Sequence, residues 1–98
     1  MVCFRGRQIV HRAENIGLLF LSPYAVAEID SDGCLLRKED EEEGIVIDFF
    51  PESELIVLFN NLNKGMKEKE LQDAFLKVMD EETAEEWIAI LLVGGFIG

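Results

Sequence analysis

The sequence predicts an α+β domain in which a three- or four-stranded antiparallel sheet is followed by three helices. The first half holds short apolar, β-branched runs broken by turn residues. The second half is rich in Glu, Lys and Leu, with apolar residues recurring every three or four positions, the spacing of one helical face. At 98 residues, 49% of them hydrophobic, the chain can fill one modest core and one domain.

The run Ile16 to Pro23 is strand-like and is ended by Ser22-Pro23. It leaves residues 1–23 as an extra N-terminal segment, either a fourth strand or a dimer element, ahead of a domain spanning residues 24–98. Ala25-Val26-Ala27-Glu28-Ile29 and Cys34-Leu35-Leu36-Arg37 flank Asp30-Ser31-Asp32-Gly33. An Asp/Ser/Gly cluster between two apolar runs is a hairpin signal, with Gly33 suited to positive φ. After the acidic loop Glu39 to Glu43, the run Gly44 to Phe50 supplies a third strand and completes a meander.

Pro51 suits the first position of a helix, and Leu55, Leu58, Phe59 and Leu62 share one face before Asn63-Lys64-Gly65 ends it. A second amphipathic pattern runs from Lys67 to Met79, with Leu71, Ala74, Phe75 and Val78 inward. The third starts at the capping box Thr83-Ala84-Glu85-Glu86 and stops at Gly94-Gly95. Leu55, Phe59, Leu71, Phe75, Ile88 and Leu92 are the expected core. The third helix is apolar all round: Trp87, Ile90 and Leu91 occupy one sector, Ile88 and Leu92 a second, Ala89 and Val93 a third. A small core needs one such sector, so the sheet, another chain or a ligand is expected to cover the rest.

Charge narrows the function. Residues 1–38 carry five basic and four acidic side chains, and residues 39–98 four basic and sixteen acidic, for a net charge of −11. Such a chain repels a phosphate backbone, so no nucleic-acid partner is expected. Its apolar content argues equally against disorder. Cys3 and Cys34 form no CxxC motif and His11 is the one histidine, which leaves no disulfide framework or zinc site. The longest apolar stretch, Trp87 to Val93, is far shorter than the roughly 20 residues of a membrane span. With no signal-peptide pattern at its start, the chain reads as a cytoplasmic protein with reduced thiols and no membrane contact.

Catalysis finds no foothold. No Ser or Cys stands in a nucleophile motif, and the carboxylates fall on solvated helix faces. Asp30-Ser31-Asp32-Gly33 invites a calcium reading, but Gly33 comes too early for an EF-hand and no closing Glu follows. The expectation is no catalytic residue, no metal and no cofactor. Arg5, Arg7 and Arg12 can meet an acidic partner or the chain's own acidic half.

What remains is surface for a peptide. A three-stranded meander has an exposed edge, and Ile45-Val46-Ile47-Asp48-Phe49 is apolar on both faces, as a strand with a neighbour beside it would be. Strand addition would satisfy that edge, with the surplus sectors of the third helix lining side-chain pockets. A homodimer burying the same surfaces is the alternative.

The order of elements, with Asp32-Gly33-Cys34-Leu35-Leu36 in the hairpin, Ile47-Asp48-Phe49 leading into the first helix, Leu58 to Gly65 before the second, Glu70-Leu71 within it and Ile90 to Ile97 at the end, resembles the PqqD-like RiPP recognition elements. The resemblance covers Tyr24 to the C-terminus, about three-quarters of the chain. Met66 departs from it, standing where a Ser or Thr usually caps the second helix, and residues 1–23 match nothing in it. The resemblance implies a winged-helix-like module that binds the leader of a ribosomally made precursor peptide. It places the leader antiparallel to Ile45, Val46, Ile47, Asp48 and Phe49, against Trp87, Ile90 and Leu91. It also implies a separate modifying enzyme, often a radical S-adenosylmethionine enzyme, with no chemistry in the module itself. A winged-helix DNA-binding regulator is the rival, opposed by four Lys and no Arg against ten Asp and Glu over residues 51–93.

Overall fold

The computed structural model describes residues 1–7 and 17–98. Along the chain these form β1 (Val2–Arg5), β2 (Leu18–Leu19), β3 (Ala25–Asp30), β4 (Gly33–Lys38), β5 (Gly44–Ile47), α1 (Glu52–Lys64), β6 (Met66–Lys67), α2 (Glu68–Leu76) and α3 (Glu81–Val93). The expected winged-helix-like α+β order is present, with four strands in the main sheet and three helices after it. His11, Arg12 and the start of the Ile16 to Pro23 run lie outside the described residues.

The sheet is antiparallel throughout, in the order β1-β3-β4-β5. Its hairpin turns where the sequence places it: Asp32 N–H donates to the Asp30 carboxylate at 2.8 Å, and Gly33 has φ +134°. The fourth strand is β1, drawn from the N-terminal segment and paired with β3 from Val2↔Ile29 to Arg5↔Val26. β2 instead pairs with β6 in a separate two-stranded ribbon. Side chains alternate across the sheet, as a period of two requires. Ala25, Ala27, Ile29, Cys34, Leu36 and Ile47 face the helices and are buried, whereas Arg5, Glu28, Arg37 and Val46 face outward. Val26 is buried although it lies on the outer face. Its cross-strand partners are Arg5 and Arg37, whose stems cover it while their guanidinium groups reach Glu39 and Glu28.

On the inner face, Leu55, Leu58, Phe59 and Leu62 of α1, Leu71 and Phe75 of α2, and Ala84, Ile88 and Leu91 of α3 complete the core. Leu92 does not belong to it. At 37% exposure it corrects the expected core, because the buried sector of α3 is centred on Ala84, Ile88 and Leu91 and Leu92 falls at its edge, beside Ile88 but further round the helix from Leu91.

The element ends shift for local reasons. Helix α3 begins at Glu81, not Thr83, because the Asp80 carboxylate accepts from Thr83 N–H at 2.9 Å and caps the helix one turn earlier. Helix α2 ends at Leu76, so Val78 is exposed instead of inward. Its own start is held by Lys67 N–H donating to the Glu70 carboxylate at 3.2 Å, the glutamate half of a capping box, with no hydroxyl accepting from the first helical N–H groups. Pro51 stands just outside α1, extended at ψ 153°.

Past α3 the chain reverses sharply. Gly95 takes φ +74°, Gly95 N–H donates to Leu92 O at 3.1 Å and Phe96 N–H to Leu91 O at 3.0 Å. This is a Schellman motif, and it buries Phe96. The tail then pairs with the segment before β3: Ser22 N–H donates to Phe96 O, and Phe20 and Gly98 exchange hydrogen bonds at 2.8 and 2.9 Å.

Candidate functional site

β5 is an edge strand. Among the described residues it pairs with β4 alone, from Arg37↔Gly44 to Cys34↔Ile47, and its other side presents backbone groups at alternate residues that none of them pairs. The strand is short because the exposed acidic loop Glu39 to Glu43 precedes it and the chain leaves the sheet after Ile47. Ile45 and Ile47 point inward, Ile45 half-buried and Ile47 fully buried. Val46 points outward at 59% exposure, which gives the strand the two apolar faces expected of it.

Asp48 and Phe49 do not extend the strand. Ile47 pairs with Cys34 and β4 begins at the hairpin glycine Gly33, so the ladder has no room to continue; Asp48 is exposed, and Phe49 turns inward to an aromatic cluster. Its ring centroid lies 5.0 Å from Trp87, 5.0 Å from Phe50 and 5.9 Å from Phe75, and Phe50 and Phe75 are 5.5 Å apart. The cluster ties the end of β5 to α2 and α3 at once. No single stretch of sequence signals it, since its members come from three segments.

Two contacts fix how α3 runs past the sheet. Phe49 meets Trp87 near the C-terminal end of β5, and Lys38, beside its N-terminal end, donates through Nζ to Gly95 O and lies 4.8 Å from the Phe96 ring centroid. Helix α3 therefore runs opposite in direction to β5. Along it Trp87 is half-buried, Leu91 is buried and Ile90 is 47% exposed. Of the eight residues singled out from the sequence, Val46 and Ile90 offer apolar side chains to solvent. Ile45, Phe49 and Trp87 offer partial surface, Asp48 a carboxylate, and Ile47 and Leu91 only the packing beneath.

Ala89, Leu92 and Val93 are also exposed on α3. Ala89 and Leu92 line a shallow groove of about 270 Å³ with Ile88, Glu68, Gln72 and Glu85. The sequence reading that α3 carries more apolar surface than the core uses thus has a physical counterpart in these side chains.

Chemistry within the described residues is sparse. Cys34 is buried behind the sheet, and desolvation, followed by the nearby Glu28 and Asp30 charges, pushes its thiol up to about 12, far from nucleophilic at neutral pH. Asp80 is held below its ordinary value by the hydrogen bonds from Thr83. Among the described residues no three His, Cys, Asp or Glu side chains converge as metal ligands, and no helix is long and apolar enough to cross a membrane. No family model matches the chain, and comparison with curated proteins and with solved structures gives no match.

Proposed function

We propose that this chain is a non-catalytic, cytoplasmic adaptor that binds the leader of a ribosomally synthesised precursor peptide and presents it to a separate modifying enzyme, in the manner of PqqD-like recognition elements. The observation that carries this reading is the edge of β5 that no described residue pairs, with Val46 outward and with the end of the strand joined through Phe49 and Trp87 to α3, a helix that exposes Ile90. An extended peptide can satisfy the edge through its backbone, which tolerates many sequences, while alternate side chains meet Val46 and Ile90 and supply selectivity. Trp87, held edge-on by Phe49 at one end of this surface, is the natural anchor.

Calorimetric titration of the candidate precursor's leader tests the reading. Binding by the native chain that falls on Trp87→Ala, in a variant shown to be folded, supports it. Unchanged affinity in Trp87→Ala and in the strand variants described below sinks it.

A homodimer is the second reading, favoured by Ala89, Ile90, Leu92 and Val93 standing exposed on one helix. Sedimentation velocity separates the two, since the dimer reading requires self-association that Ile90→Asp and Val93→Asp abolish. For a DNA-binding regulator the generous test is a mobility shift at low salt, and the expected result is no specific complex.

A further inference from the structure

A cleft lies between α1 and α2. It encloses about 480 Å³. One wall is Phe50, two residues ahead of α1, with a single stripe of the helix, Ser53, Glu54, Val57, Leu58 and Asn61. The other is Met66 with the α2 stripe Glu70, Asp73 and Ala74, closed by Lys77. Both follow the three- and four-residue spacing of a helical face.

The cleft has an apolar floor and an acidic rim. Phe50, Leu58 and Met66 belong to the core yet keep 6–8% of their surface, whereas Leu55, Phe59, Leu71 and Phe75 keep 1% or less. The difference is their position: the first three form the base of the cleft. Val57 stands above them at 59% exposure. Around the rim, Glu54, Glu70 and Asp73 face the single cation Lys77, and Glu70 already accepts from Lys67 N–H. Glu54 and Asp73 are left as carboxylates whose natural complement is a Lys or Arg of a partner.

The walls also decide the partner's conformation. Both are helices, whose backbone groups are bonded internally, so an extended peptide laid in the cleft would find no backbone partner there. An amphipathic helix brings its own backbone bonds and needs only an apolar stripe for the floor and cations for the rim.

We propose that the α1–α2 cleft is a docking surface for a cationic amphipathic helix of another protein, inserting apolar side chains over Phe50, Leu58 and Met66 while its Lys or Arg residues meet Glu54 and Asp73. The surface is separate from the β5 edge and does not depend on what binds there. A chain with both would hold an extended peptide on one side and a helical segment on the other.

The test is an NMR titration of the isotope-labelled full chain with a synthetic amphipathic peptide of about 16 residues, long enough to hold helix, with Leu and Phe on one face and Lys on the other. Its counterpart carries Glu at every Lys position. The expected result is amide shifts concentrated at Val57, Asn61, Ala74 and Lys77 with the Lys peptide, and binding weaker by about tenfold or more with the Glu peptide. Glu54→Lys combined with Asp73→Lys should weaken the Lys peptide by a similar factor, as should Val57→Ser through its apolar contact. All three positions are exposed, and the melting temperature of each variant verifies its fold. Shifts centred on α3 or the Glu39 to Glu43 loop, equal binding of the two peptides, no binding of either, or affinity unchanged by the variants would overturn the proposal.

Discussion

Phe49 and Trp87 meet at a centroid separation of 5.0 Å and an interplanar angle of 62°, an edge-on contact between the residue that leaves the sheet and the helix that flanks it. The pair links the end of β5 to α3, so the separation of edge and helix depends on it. Its coupling should be measurable. A double-mutant cycle of Phe49→Ala and Trp87→Ala in urea should return an interaction energy of about 0.5–1.5 kcal/mol. Additive single effects would mean that the two rings are neighbours without being partners.

The core assignment separates two leucines. Leu71 is fully buried and Leu92 is not. Leu71→Ala should cost about 2–5 kcal/mol, and Leu92→Ala less, about 1 kcal/mol, because Leu92 keeps 37% of its surface in the folded state. Denaturant midpoints at unchanged slope give both numbers, and similar costs at the two sites would contradict the packing described for α3.

Proline scanning reads the edge residue by residue. In an antiparallel strand, backbone groups point alternately towards the paired strand and away from it, so Val46 and Ile47 have opposite roles. Proline at the outward-facing N–H should leave the fold intact and abolish leader binding. At its neighbour it should break the β4–β5 ladder and lower the melting temperature. If both variants fold and bind the leader as the native chain does, the strand-addition reading fails.

Two thiols in contrasting places give a direct check on the sheet. Cys3 is exposed on β1 and Cys34 is buried on β4, its thiol pushed up to about 12. At pH 8 one thiol should react with a maleimide in the native protein and two in denaturant. The linkage has a definite sign. Between the ordinary value of 9.0 and about 12 the unfolded chain releases this proton while the folded chain keeps it, so the contribution of Cys34 to stability falls as pH rises through that window. Cys34→Ala should flatten that part of the stability profile.

Local chemistry was enough for much of the architecture. The turn at Gly33, the helix end at Gly65, the inward face of α1 and that of α2 as far as Phe75 follow from local pattern, and each is where the residues put it, with Val78 the exception past the end of α2. Helix α3 was equally legible as a helix with surplus apolar sectors, because a helical wheel counts those directions without knowing what surrounds them. The edge of β5 was half-legible: apolar residues on both sides of a strand show that two faces need company, and Val46 is the face left open.

Only the tertiary structure decided the rest, for one reason: these features depend on residues that sequence distance keeps apart. β1 becomes the fourth strand because Val2 to Arg5 find partners at Val26 to Ile29. Phe49, just past the end of β5, joins Phe75 and Trp87 from two other segments in one aromatic cluster. Leu91, not Leu92, enters the core because the way α3 packs against α2 selects one sector from several apolar ones. The α1–α2 cleft follows the same rule. Each stripe is visible alone as one side of a helix, but a floor of Phe50, Leu58 and Met66 beneath a rim of Glu54 and Asp73 exists only once two helices are packed side by side.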